Sequence, residues 1–245
     1  MKIEIFSDVA CPWCFIGKRR FEKALESFEH RDQVEVEWKS YQLDPSLPEH
    51  DDRHEVDYLA QTKGMPREQV TQMLAHVTEQ ARGEGLSYDL DSLVVANSWK
   101  AHRVIQRAKA ESLQTAESLE EQLFRAHFEQ GLDIGDEQVL VQLGAAAGMT
   151  EDQVRQALDE DRWETAVKQD LATAQALGVT GVPFFVLGRK YGISGAQPAE
   201  LFAQALQQAW SEFQPLQMVQ PVATGAGATA GTGLNGQACG PEGCD

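Results

Sequence analysis

The 245-residue chain has only four cysteines, and none lies between Cys14 and Cys239. A scattered disulfide framework, of the kind that staples small secreted domains, is therefore excluded. Positive charge is scarce: 21 basic residues stand against 38 acidic ones, for a net charge of -17. A field of that sign repels nucleic acid and anionic membrane, so neither is expected as a partner. It reads as a solvated acidic surface. No hydrophobic run approaches the ~20 residues of a membrane-spanning helix. No cleavable leader precedes the first strand, which begins at Lys2, and the chain is expected in the cytoplasm. There, cysteine pairs are more often catalytic or metal-binding than structural. No repeat period is visible. The length suits one large domain, or one domain with an inserted subdomain.

What is present is Cys11-Pro12-Trp13-Cys14, the stretch around which the chain is organised. A short apolar strand, Lys2-Ile3-Glu4-Ile5-Phe6, precedes it, with Ile3 and Ile5 on one face and charges on the other. A helix follows from Pro12 to about Phe28, with Phe21, Leu25 and Phe28 on one stripe. Pro12 suits the first helical turn, where its missing N–H costs nothing. Cys11 then sits at a helix N-terminus, whose unpaired N–H groups and dipole favour thiolate over thiol. Strand, C-x-x-C and helix in this order form a thioredoxin-like redox signature. A C-x-x-C also serves as half of a zinc site, but zinc knuckles do not usually lie at a strand-to-helix junction. Two core cysteines would need no proline between them.

Val34 to Trp38 alternates as a second strand and runs into an Asp44-Pro45 turn. The stretch from His50 to His54 is polar, and its two histidines read as exposed rather than as metal ligands. From Val56 to Leu177 the pattern is almost wholly helical, with a break at Gly64-Met65-Pro66. Asn97 reads as the cap of a long helix that carries His102, and Thr150 to Gln153 fits a capping box. Strand character returns at Val182-Pro183-Phe184-Phe185-Val186-Leu187, and Gly188-Arg189 turns into Lys190-Tyr191. Pro198 opens a last helix, with Phe202, Leu206, Ala209 and Phe213 expected to face inward. The fold class is thus α/β: a thioredoxin fold with a large helical insertion. Residues 1–55 and 178–214 form the split thioredoxin-like domain, and residues 56–177 the inserted helical domain. Residues 215–245 are rich in alanine, glycine and threonine and read as a flexible C-terminal tail.

Pro183 opens an apolar strand, where a proline cannot donate to the ladder. Base rates favour a trans bond for an isolated case. Beside a C-x-x-C the expectation reverses. A cis Val182–Pro183 bond would turn the Val182 backbone toward Cys11, where its N–H and C=O could pair with an extended substrate. The proline ring would also hinder a metal from taking both sulfurs.

Five stretches together resemble the FrnE-like branch of the DsbA family. They are Phe6-Ser7-Asp8, Cys11-Pro12-Trp13-Cys14, the run from Asn97 to Arg103, Gly178 to Phe185, and Ile193-Ser194-Gly195-Ala196. The resemblance spans about residues 1 to 213. It implies a thioredoxin domain with a helical insertion and thiol–disulfide exchange, and by analogy it turns Asn97 and His102 toward the cleft. The same branch is similar to 2-hydroxychromene-2-carboxylate isomerases and kappa-class glutathione transferases, which carry serine at the position matching Cys11. Both cysteines are present here, which favours redox chemistry. The departures are the absent leader, Trp13 in place of the usual histidine, and a cysteine-bearing tail. The first two argue against a strongly oxidising role.

The expected mechanism has Cys11 attack a protein disulfide and Cys14 resolve the mixed disulfide. Pro12, Trp13, Val182 and Pro183 support the site. No cofactor is expected beyond the redox-active disulfides, which exchange with glutathione or a thioredoxin system. Partners are proteins carrying disulfides or thiols, with the chain a monomer or dimer. Cys239 and Cys244 enclose Gly-Pro-Glu-Gly, a turn-forming set that lets two sulfurs meet. About 26 steps separate Phe213 from Cys239, for a flexible span of about 25–30 Å. This second pair is therefore expected to reach Cys11 and relay electrons to it. Three other classes stay open: a zinc module using all four cysteines, a peptide-binding chaperone, and a glutathione-dependent isomerase or transferase of small aromatic substrates.

Overall fold

Ile3 and Ile5 lie on one of the two central strands of the sheet, β1 (Lys2–Ser7), which is buried along all but its first residue. The computed structural model describes residues 1–213 and, in the tail, Cys239–Gly240 and Gly243–Cys244. β1 pairs in parallel with β2 (Glu35–Ser40), Lys2 opposite Glu35 and Ser7 opposite Ser40. On its other edge it pairs antiparallel with β3 (Phe184–Leu187), Ile5 opposite Phe185. β3 turns through Gly188 and Arg189 into β4 (Tyr191–Ser194), giving the order β2-β1-β3-β4. Charges were expected on one face of β1, but Glu4 is buried. It is ion-paired with Arg189 from that hairpin turn, so the second face of the strand is covered as well.

The parallel β1–β2 pair needs a crossover, and α1 (Pro12–Glu26) supplies it. The C-terminal half of α1 packs with α9 (Ala199–Ser211) against Ile3, Ile5 and Phe185. Phe21, Phe185 and Phe202 meet there, with centroids 4.6–5.7 Å apart. Each buried phenylalanine contributes about 2–3 kcal/mol of hydrophobic stabilisation. Phe213 does not join them. α9 ends at Ser211, so the helical stripe that would carry Phe213 inward has stopped, and the ring is exposed.

Seven helices lie between β2 and β3. They are α2 (Glu55–Lys63), α3 (Arg67–Gly83), α4 (Trp99–Glu111), α5 (Leu113–Gln130), α6 (Glu137–Ala146), α7 (Glu151–Asp159) and α8 (Asp161–Ala176). Their ends follow local chemistry. Gly64 closes α2 in the left-handed region, and the Asp136 carboxylate accepts from the Gln138 and Val139 N–H groups. Thr150 and Gln153 form the capping box of α7. Gly131 is required where it stands: at φ 62° it ends α5, and a Cβ there would lie 2.6 Å from the Ser92 carbonyl oxygen. The cap of α4 is Ser98, one residue past the expected Asn97, whose side-chain oxygen instead accepts from the Trp99 N–H at 2.9 Å.

These helices enclose a second core that includes Phe15, Ile16, Leu119, Leu123, Phe124 and Phe128. The N-terminal half of α1 thus packs into the helical block and its C-terminal half onto the sheet. A buried polar cluster fixes the same junction from the β2 side. Asp170 of α8 accepts from the Ser40 N–H at 3.0 Å, from Gln106 of α4 at 2.6 Å and from Lys39 at 3.0 Å. Met1–Phe213 packs as one unit. In the tail, Cys239–Gly240 pairs antiparallel with Gly243–Cys244. The rest of the tail, expected to be flexible, lies outside the described residues. Among the described residues no helix is long and apolar enough to cross a membrane.

Candidate active site

Cys11 caps α1 in an extended conformation, and Pro12 takes the first helical position. The Cys11 N–H donates to the Asp8 carbonyl at 2.9 Å, and the Cys14 N–H to the Cys11 carbonyl at 3.0 Å. These bonds tighten the turn between β1 and α1. No acidic side chain stands in the first turn of α1, so nothing there opposes the positive end of the helix beside the sulfur. Both cysteines are free thiols. Cys11 is 5% exposed and Cys14 fully buried. Burial, reinforced by the neighbouring Cys11, pushes the Cys14 thiol well above its ordinary pKa.

The Val182–Pro183 bond is cis, and the loop that carries it lies against Cys11. The Cys11 thiol donates to the Val182 carbonyl oxygen at 3.7 Å. Gly17 on α1 leaves room for this loop: a Cβ at that position would lie 2.9 Å from Pro183 Cγ and 3.4 Å from the Ala196 Cβ. The Gly195 N–H donates to the Pro183 carbonyl at 2.8 Å, and Arg20 donates to the Ala196 carbonyl at 2.7 Å. The C-x-x-C helix, the proline loop and the loop after β4 are thus tied together.

Cys11 opens on a cavity of about 470 Å³, lined also by Pro12, Trp13, Tyr58, Leu74 and Val182. The Trp13 ring leans toward His76 of α3, with centroids 6.1 Å apart. Four further polar residues shape the site. Tyr88 donates its hydroxyl to the Pro12 carbonyl at 2.7 Å, and burial raises its pKa far above the ordinary value. Asp8 is buried, which alone would raise its pKa. The His102 ring at 3.3 Å and the N–H groups of Leu43 and Ala10 instead hold it below the usual carboxylate range. His127 lines the cavity, and burial lowers its pKa to about 4. Glu55 lines it too, and burial raises its pKa to about 7 against the pull of Lys63.

Asn97 and His102, turned toward the cleft by analogy, do not line this cavity. His102 is buried beneath it, against Asp8. Asn97 binds Gln42 and the Leu47 carbonyl and lines a separate cavity with Trp99, Lys100 and Arg103. Among the described residues, no group of three or more His, Cys, Asp or Glu side chains is arranged to hold a metal ion. Cys239 and Cys244 pair in register with each other on the two short tail strands, β5 (Cys239–Gly240) and β6 (Gly243–Cys244).

A family model described as a DSBA-like thioredoxin domain matches residues 2–207. The chain belongs to that family. It is similar to a probable DsbA oxidoreductase of Streptomyces coelicolor, 40% identical, with a TM-score of 0.85 over 100% of this chain and 98% of that one. It is also 26% identical to the uncharacterised protein YwbO of Bacillus subtilis, over 83% of this chain and 94% of that protein. The cytosolic disulfide reductase DsbM of Pseudomonas aeruginosa shares the fold. Its TM-score is 0.61 at 19% identity, over 86% of this chain and 100% of that one. The DsbA-like family couples a thioredoxin fold to a helical insertion, and here those two parts meet along α1.

Proposed function

We propose that the protein is a thiol–disulfide oxidoreductase acting on disulfides of other proteins. The observation that carries this reading is the approach of Cys11, which lines a cavity at the head of α1, to the Val182 carbonyl, with the fully buried Cys14 one helical turn on. Cys11 attacks one sulfur of the substrate disulfide as thiolate, and the other sulfur leaves with the bonding electron pair. Cys14 then attacks the Cys11 sulfur and releases the substrate. The substrate gains two electrons, and a Cys11–Cys14 disulfide remains. An extended substrate segment would pair with the Val182 backbone while its side chains rest on Trp13, Tyr58 and Leu74.

In a reducing cytoplasm the reaction runs toward reduction or isomerisation of wrong disulfides. Trp13 carries no imidazolium charge that would favour a strongly oxidising couple. The chain needs no cofactor beyond its own cysteines and is recycled by glutathione or a thioredoxin system. The tail pair relays electrons to the first pair. Support for Cys239 and Cys244 acting together comes from their opposed register across a two-residue connection. The test is reduction of insulin disulfides by the reduced protein. Activity that disappears in Cys11→Ser supports the reading, and activity that survives it overturns the reading.

A further inference from the structure

We propose that Glu55 makes the cavity beside Cys11 select substrates that carry a lysine or arginine next to the disulfide cysteine. The proposal rests on the exchange reaction above and gives it a specificity-determining residue.

α2, the first helix after β2, forms one wall of that cavity. It has no fully buried residue, yet Glu55, Tyr58, Leu59, Thr62 and Lys63 all line the cavity. They fall at i, i+3, i+4, i+7 and i+8, which is a single helical face. Leu74 and Val77 of α3 line the cavity too and are themselves buried. The long aliphatic stem of a lysine or arginine finds apolar cover against these side chains while its charged end seeks a polar partner.

Glu55 is the carboxylate left to be that partner. Asp8 is engaged by His102 and by the Leu43 and Ala10 N–H groups. Asp44, also in the lining, accepts from Ser46 and from the Tyr58 hydroxyl, which hold its pKa down. Asp57, the other acid in the first turn of α2, is ion-paired with Arg67 of α3. Among the described residues Glu55 makes no hydrogen bond and no ion pair through its side chain, and Lys63 acts on it only through the field. Lys63 stands eight residues on, about 12 Å along the helix axis. It is the one lysine or arginine among the described residues that line the cavity, and His127 there is held neutral by burial. The carboxylates of the lining therefore outnumber its cations. A half-buried carboxylate without a partner is unfavourable, and an ammonium or guanidinium brought by the substrate relieves it. Burial raises Glu55 to about 7, and a bound cation holds it ionised.

The experiment uses the full chain carrying Cys239→Ser and Cys244→Ser, reduced, at pH 8. About 0.5 M salt screens the acidic surface but not a partly buried pair. The substrates are short peptides whose single cysteine is joined to thionitrobenzoate, with lysine, norleucine or glutamate on both sides of that cysteine. The Cys11 sulfur bonds to the peptide sulfur, and the electron pair of the broken bond leaves on thionitrobenzoate, whose absorbance gives the rate. Norleucine keeps the stem of lysine and lacks its charge. The lysine peptide should react about fivefold or more faster than the norleucine peptide, and the glutamate peptide slowest. Glu55→Gln should bring the lysine rate down to the norleucine rate, and Glu55→Lys should make the glutamate peptide faster than the lysine peptide. Equal lysine and norleucine rates in the parent, or a lysine preference that survives in Glu55→Gln, would overturn the proposal. Release from no peptide at all, or equal release by Cys11→Ser, would overturn the exchange reading itself, so the two failures are distinguishable.

Discussion

The Cys11 sulfur donates to the Val182 carbonyl oxygen at 3.7 Å, although 171 residues separate the two in the chain. The contact joins the first strand–helix unit to the hairpin that follows the helical block. It is made possible by a residue without a side chain, Gly17, on the α1 face that receives Pro183.

Gly17→Ala tests that fit. Alanine favours the helix by about 1 kcal/mol over glycine. Its Cβ, however, would meet Pro183 Cγ at 2.9 Å, and such overpacking costs about 1–3 kcal/mol. The variant should be less stable by up to about 2 kcal/mol in urea unfolding, and its Cys11 should react more slowly with protein disulfides. A variant more stable than the parent would show that the proline loop does not rest on α1.

Tyr88→Phe removes the hydroxyl that holds the Pro12 carbonyl. A typical buried hydrogen bond contributes about 0.5–1.5 kcal/mol, and the urea midpoint should fall accordingly with the m-value unchanged. An unchanged midpoint would mean that the hydroxyl plays no part in holding the C-x-x-C turn.

Two buried groups should give stability opposite pH slopes. His127 titrates at about 4 in the fold against an ordinary 6.5, so its contribution is lost as pH falls through that window, on the order of 3 kcal/mol. Glu120 titrates at about 8 against an ordinary 4.5, so its contribution is lost as pH rises between those values, on the order of 5 kcal/mol. Relative to the parent, His127→Phe should gain stability toward pH 4 and Glu120→Gln toward pH 8, in urea midpoints measured at each pH. Parallel pH profiles for parent and variants would contradict these environments.

The tail relay makes its own prediction. In Cys14→Ser, mild oxidation should trap Cys11 as a disulfide with Cys239 or Cys244, identified by peptide mass spectrometry. No such peptide under those conditions would remove the relay from the account.

The parts of this site that obey short-range rules were legible in the sequence. The strand before Cys11, proline at the first helical position and the apolar run after Pro183 are local patterns, and together they bring out the cis proline beside the sulfur. The polar floor was not legible. Leu119, Leu123, Phe124 and Phe128 mark the buried stripe of α5, and Glu120 and His127 fall within that same arc at i+3 and i+4 spacings, but their polar side chains disguise it. Glu120 and His127 are buried with the apolar residues of that face, which packs into the helical core. Tyr88 lies in an irregular stretch before α4, where no period exists to read. Phe213 fails for the opposite reason: a periodic stripe was carried past the point where the helix stops.

The central claim is that Cys11 enters the substrate disulfide and Cys14 resolves it. The most direct test takes Cys14→Ser, with both tail cysteines also changed to serine, and incubates it with a disulfide-bonded protein before mass spectrometry. The account predicts a stable mixed disulfide at Cys11, released on adding a small thiol. Absence of any adduct at Cys11, in a variant that is folded and fully reduced, would contradict it.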